Sequence, residues 1–318
     1  ALAFSLALGL ALVATTLAGS EQIAGLGADP ALILGGLAAA AAVAAVLAAR
    51  LGIRHPSGFL DVRLFRSATF SSAALVSLLT GYGLATAIVG GAVFVDRVLY
   101  GGPDVQRVAL GALAGAVAVG ALGSGLALRV VGLRLVTVVG LVLSTVALVR
   151  MSAWTPATGL TEVAALMGAF GLGFGLTVTP RSTAAVDALG QAAFGVASAT
   201  VTVARMVGMA IGLAALTAFG STTIDRLYNQ VYATQDSYKL FIPEALRDRP
   251  LRDGLVVQAL ESWASSEAAR ILVGIFLVAA LVTAAALVPA LALGDRRILA
   301  PRAAPDEPRA GIDEAEVA

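Results

Sequence analysis

The chain has 318 residues, of which 58% are hydrophobic and only 13% charged, with 21 basic and 20 acidic side chains. A soluble domain carries about 25% charged residues, so this composition excludes an ordinary soluble fold. A net charge of +1 gives no support for a nucleic-acid partner. There is no cysteine, and the one histidine, His55, sits beside Pro56. Disulfides, thiolate metal centres and histidine-built metal sites are therefore excluded, and no cofactor is expected.

In chain order, eight apolar stretches of roughly membrane-spanning length stand out, at about 1–18, 31–49, 69–95, 105–128, 135–153, 163–180, 191–220 and 268–294. In lipid each backbone N–H and C=O must be satisfied within its own segment, so such runs are read as helices. The expectation is an all-α membrane protein with eight transmembrane helices. The first stretch lacks a basic leader or a cleavage site and is not read as a signal peptide. The chain starts inside it at Ala1, and the expectation is the C-terminal portion of a longer protein.

The loops set the orientation. The 50–68 loop carries Arg50, Arg54, Arg63 and Arg66 against Asp61, the turn after the fourth span carries Arg129 and Arg134, and the last span is followed by Arg296, Arg297 and Arg302. The alternate loops are acidic or balanced, with Glu21 and Asp29, then Asp96, Arg97, Asp104 and Arg107, then Glu162. By the positive-inside rule the basic loops and the C-terminus are cytoplasmic, in a plasma (inner) membrane. The tail 295–318, rich in Pro, Ala and acids, is expected to be disordered.

The segment 221–267 is the longest external loop, yet it has a helical pattern. Ile224, Leu227, Tyr228 and Val231 continue the seventh span, and Leu255, Val256, Ala259, Leu260 and Trp263 lead into the eighth, with Asp253 as N-cap. The last two helices are therefore expected to project beyond the outer surface, joined across Pro243–Pro250. A helix over 254–294 would be about 60 Å long, twice the membrane core. The other reading is a surface loop with two short interfacial helices.

Glycines at four-residue spacing, Gly111 with Gly115, Gly171 with Gly175 and Gly208 with Gly212, suit close helix packing, either static or sliding. Arg205 lies near the middle of the seventh span, where a charge costs at least about 2.5 kcal/mol. Ser198, Thr202, Gly208 and Gly212 share its helical face. That polar, thin stripe is expected to face the bundle interior, as a gating site or as a permanent structural bridge. Asp96 and Arg97 at the external end of the third span form either an outer gate or a solvated pair. Arg181, after Thr179 and Pro180, is read as snorkelling from a helix end that Pro180 terminates or kinks. Arg150 near Trp154 is read as an interfacial anchor.

Several strings resemble the major facilitator superfamily, in its fourteen-span drug:proton antiporter branch. Gly125, Arg129, Gly132 and Arg134, followed by Gly140, resemble the cytoplasmic turn of that family. Gly171, Gly173, Gly175, Thr179 and Pro180, then Gly195, Ser198, Arg205 and Gly208, are similar to its tenth and eleventh helices, and Asp61 to Arg66 resembles the entry to its seventh. The resemblance implies two linker helices (1–49), a basic cytoplasmic loop (50–68) and the C-terminal six-helix half of the fold (69–294). The half would be built of two inverted three-helix repeats, and the N-terminal six-helix half would lie outside this chain. The 221–267 insertion, Asp96 to Pro103, and an Arg-rich composition with Lys239 as the only lysine look like the mycobacterial triacylglyceride exporters. That implies secondary-active export of lipids to a periplasmic lipid-binding lipoprotein.

The alternatives are a multidrug:proton antiporter, with its drug-resistance role, and a non-transporting scaffold. No acidic residue lies securely at mid-membrane in the last six spans, so a coupling carboxylate is expected in the other half. An enzyme is not expected, because no nucleophile–base pair or metal cluster is available in the spans. No Gly-Lys-Ser/Thr nucleotide loop is present.

Overall fold

The computed structural model describes residues 62–190, 193–234 and 236–294, together with Ala39, Ala40, Val43 and Arg50. The spans at 1–18 and 31–49, most of the 50–68 loop and the 295–318 tail lie outside these residues. Among the described residues there is no strand, and six helices are long and apolar enough to cross a membrane: α1 Ala68–Arg97, α2 Pro103–Ala127, α3 Leu133–Met151, α4 Leu160–Leu189, α5 Phe194–Val231 and α6 Gly254–Ala290.

Local chemistry starts and stops them. The Ser67 hydroxyl accepts the Phe70 N–H at 3.4 Å to open α1, and Pro103 stands in the first turn of α2, where its missing N–H costs nothing. Gly190, at φ 81°, ends α4. The Asp253 carboxylate accepts the Leu255 N–H at 2.9 Å to open α6. Several buried Ser and Thr hydroxyls inside the helices donate back to their own backbone, as Ser77 does to the Ala73 carbonyl and Thr137 to that of Leu133. They thereby avoid an unpaired donor in an apolar setting.

One expectation about a helix end changes. Pro180 does not end its helix: α4 runs on through it to Leu189, with Pro180 and Arg181 both buried. The spans expected at 191–220 and 268–294 belong to helices of 38 and 37 residues, about 56 Å each at 1.5 Å per residue. α3, with 19 residues, is about half that. The segment joining α5 to α6 contains the short turns Ser237–Leu240 and Glu244–Leu246. It closes over a small core of Val231, Tyr238, Ile242, Val256 and Leu260.

Helix pairing follows a simple rule. The closest partners are α1 with α5, α2 with α4, and α3 with α4, followed by α1 with α4, α1 with α6 and α3 with α6. Exchanging each helix with the one three later turns α1/α5 into α2/α4 and α3/α4 into α1/α6. The α1/α4 and α3/α6 pairs map onto themselves. The exception is α5 with α6, which touch through their prolonged ends.

Glycines make the two symmetry-related crossings close. A methyl on Gly208 would overlap the Leu78 carbonyl, one on Gly81 the Arg205 carbonyl, and one on Gly212 would stand 2.7 Å from the Tyr82 carbonyl. At α2/α4 the same is true of Gly171 against the Leu113 carbonyl, Gly175 against that of Val117 and Gly120 against that of Leu172. Gly111 and Gly115 do not share this role; a side chain there would meet nothing within 4 Å. Two cores fill the bundle, one around Phe94, Trp154, Phe170 and Phe276 and one around Phe70, Leu128, Leu133 and Leu141. Trp154 is 2% exposed and sits between Phe94 and Phe276 at 4.7 and 5.3 Å. It is a core residue, while Arg150, the residue read as an interfacial anchor, is exposed.

Candidate functional site

The centre of the bundle holds an arginine that sequence reasoning assigned to the surface. Arg181 is 1% exposed. The continuation of α4 past Pro180 carries it inward instead of releasing it at a helix end. Its Nη1 donates to the Thr80 Oγ1 on α1 at 2.5 Å, and its guanidinium carbon lies 5.0 Å from the centre of the Phe174 ring, one turn-pair earlier on α4. Thr80 donates its own proton to the Val76 carbonyl at 2.7 Å, which leaves a lone pair for the arginine. One hydrogen bond and one ring face hold the cation.

Arg205 on α5 is half-buried, and its like charge acts on Arg181. Among the described residues no carboxylate forms an ion pair with either arginine. Two cations sharing an apolar bundle raise a strong demand for negative charge nearby. Ser198 and Thr202 are half-buried two turns and one turn before Arg205, respectively, and the Thr202 hydroxyl donates to the Ser198 carbonyl at 2.9 Å. Gly208 and Gly212, on the same helix face, are buried against α1. The stripe thus divides, with its glycine half closing the α1/α5 crossing and its polar half left half-buried.

At the end of α1, about 25 Å from Thr80 at 1.5 Å per residue, the Arg97 Nε is 3.3 Å from Asp96. Its Nη2 lies 3.5 Å from Asp225 on the prolonged part of α5, and its guanidinium stands 5.7 Å from the Tyr228 ring centre. Next to it the Tyr100 hydroxyl lies 3.4 Å from that of Tyr228 and donates to the Glu261 carbonyl on α6 at 3.2 Å. Burial, then the Tyr228 hydroxyl, push the Tyr100 phenol above its ordinary range, so it remains a donor at neutral pH. These groups form a second cluster, well separated from Arg181 and Arg205.

At the opposite end, the Arg134 Nε donates to the Leu293 carbonyl at 3.3 Å, a cation at the end of the last helix. Arg129 is exposed in the turn, and Gly132 precedes the first residue of α3 and accepts the Val136 N–H at 3.3 Å. A side chain on Gly125 would meet nothing within 4 Å. The turn thus joins α3 to the end of α6 through Arg134. Thr80, Phe174, Tyr100, Asp225 and Tyr228 were not singled out from sequence as site residues. All but Phe174, whose partner Arg181 lies seven residues on in the same helix, acquire their roles from a partner on another helix, which no spacing along one helix reveals.

No protein-family model matches the chain. It is similar to a triacylglyceride transporter of Mycolicibacterium hassiacum, 36% identical over 203 residues, which are 60% of this chain and 37% of that protein. It is also similar to a triacylglyceride transporter of Mycolicibacterium smegmatis, 35% identical over 161 residues, 48% of this chain and 29% of that protein. A probable triacylglyceride transporter of Mycobacterium leprae is 35% identical over 205 residues, 59% of this chain and 38% of that protein. The chain thus spans under two-fifths of the length of these curated relatives. With its six apolar helices, this likeness to transporters makes the chain an integral membrane protein.

Proposed function

We propose that the six helices form one half of a secondary-active exporter that moves triacylglyceride-like lipids out across the plasma membrane. The observation that carries this reading is the 203-residue match to a triacylglyceride transporter. The match of helix pairing to the three-helix exchange, α5 with α6 apart, supports an architecture of the major facilitator type, in which two such halves rock about a central site. Arg205, with Ser198 and Thr202 before it, faces that site, and a carboxylate from the other half answers the positive charge of Arg205 and Arg181. Making and breaking that pair accompanies alternating access. The prolonged ends of α5 and α6 stand outside the cell, the turn with Arg129 and Arg134 inside, and the lipid passes to a lipid-binding lipoprotein.

The test is transport of labelled triacylglyceride by the complete protein in vesicles, under an imposed proton gradient, with an acceptor protein on the far side. The expected result is gradient-dependent transfer that Arg205→Ala abolishes at unchanged membrane abundance. Unchanged transfer in that variant rejects the role given to Arg205, and no transfer by the parent protein rejects the exporter. Replacing 225–262 by a tight turn is expected to stop lipid delivery. If drug efflux is what the protein performs, that activity survives the same shortening.

A further inference from the structure

The prolonged ends of α5 and α6 are built on a weak level and tied down by surface contacts. Below that level α5 is fixed, since Gly208 and Gly212 press on the carbonyls of Leu78 and Tyr82. Above these glycines α5 loosens into one π-helical turn, Thr217–Ser221, a form that marks places where a helix tolerates rearrangement. A side chain on Gly220 in that turn would stand 2.7 Å from the Ile275 side chain of α6. The residue before Ile275 is Gly274, in the helix interior with open space around it. Interior glycine is the residue that resists bending least. Both helices therefore carry their weakest backbone at one level.

Beyond that level the two arms share their own core, from Val231 to Leu260. The polar links described above join these arms to the end of α1: Arg97 to Asp225 and Tyr228, and Tyr100 to Tyr228 and the Glu261 carbonyl. Tyr100 has φ 49°, the one described residue other than glycine with positive φ. A bulky side chain in that conformation is strained and persists only where its surroundings hold it. Here the hydroxyl holds it, by touching both arms. The Arg97 and Asp225 side chains are 43% and 57% exposed, so water competes for the pair and the link is reversible.

We propose that Arg97 and Tyr100 form a latch that fixes the tilt of the prolonged α5/α6 arms, and that on its release the arms pivot about Thr217–Ser221 and Gly274. The pivot keeps the α1/α5 glycine crossing intact and moves the arms as one body on their shared core. It requires nothing of the substrate and goes beyond the transport reading.

The chain has no cysteine, so spin labels can be placed in pairs within it once any cysteine elsewhere in the complete protein is replaced by serine. In the complete protein in lipid nanodiscs, one label at Leu240→Cys on the arms and one at Val146→Cys on α3, both on exposed residues, report the tilt. The parent is expected to give a narrow distance distribution. Tyr100→Phe and Arg97→Gln are each expected to widen it about twofold, and Gly274→Ala in the Tyr100→Phe background to narrow it again by stiffening α6. A second pair within the bundle, Leu126→Cys and Val146→Cys, is expected to stay unchanged. An unaltered width in both latch variants overturns the latch. Widening that Gly274→Ala leaves in place overturns the pivot, and equal widening of the bundle pair overturns the assignment of the motion to the arms.

Discussion

Arg181 Nη1 on α4 and Thr80 Oγ1 on α1 stand 2.5 Å apart inside the bundle, and this bond joins the two helices that are equivalent under the three-helix exchange. α1 and α4 are also the central pair, each touching four others. A cation seated on their contact is placed where any relative movement of the two triplets is felt.

Removing the acceptor is therefore expected to be costly. Thr80→Val keeps the shape of the side chain but leaves a buried guanidinium donor unpaired, which costs about 1–3 kcal/mol. Thr80→Ser keeps the oxygen and is expected to lose much less. Thermal unfolding of both variants in nanodiscs checks this, and equal stability of Val and Ser at this position would show that the bond carries little weight.

The glycine crossings give a paired comparison. Gly208→Ala directs a methyl at the Leu78 carbonyl, a backbone atom that moves only if α1 and α5 separate. Overpacking of this kind costs about 1–3 kcal/mol or more. Gly111→Ala makes the same chemical change into open space and is expected to be neutral or slightly stabilising, through helix propensity. A lowered melting temperature for the first variant alone is the expected outcome.

The Asp253 cap makes the start of α6 sensitive to acid. The Leu255 N–H, and then the Arg249 guanidinium, hold its carboxyl below the ordinary value of 3.8. A depressed value means that the folded form favours the carboxylate. Its contribution is thus complete above pH 3.8 and is lost as the pH falls through the lower, folded value. Amide exchange at residues 254–258 should speed up on acidification into that range, and in Asp253→Ala it should already be fast at neutral pH with a flatter profile. Identical pH profiles in the two proteins would remove the cap as the cause.

Much of the architecture was legible because it depends on local chemistry. Apolar length gave the six described spans, and the period of Ile224, Leu227, Tyr228 and Val231 gave the prolonged α5. Asp253 announced the start of α6 from its residue type alone. Helix ends were less legible where tertiary contacts outweigh local preference. Pro180 signalled an end or a kink, yet the helix continues past it with Pro180 buried. Trp154 follows the end of α3 without a pattern that marks it as core, yet Phe94 and Phe276 enclose it.

By itself the sequence determined that the chain is helical and lies in a membrane, and that α5 and α6 are longer than a bilayer needs, because hydrogen bonding within a helix and the removal of apolar surface from water act along one segment. Only the tertiary structure decided which cation is buried and what the end of α1 grips. Arg205 stood out from its segment, but Arg181 is the enclosed one. Whether a guanidinium reaches water or a threonine on another helix depends on how neighbouring helices are stacked, and that is settled by glycine contacts between segments far apart in the chain.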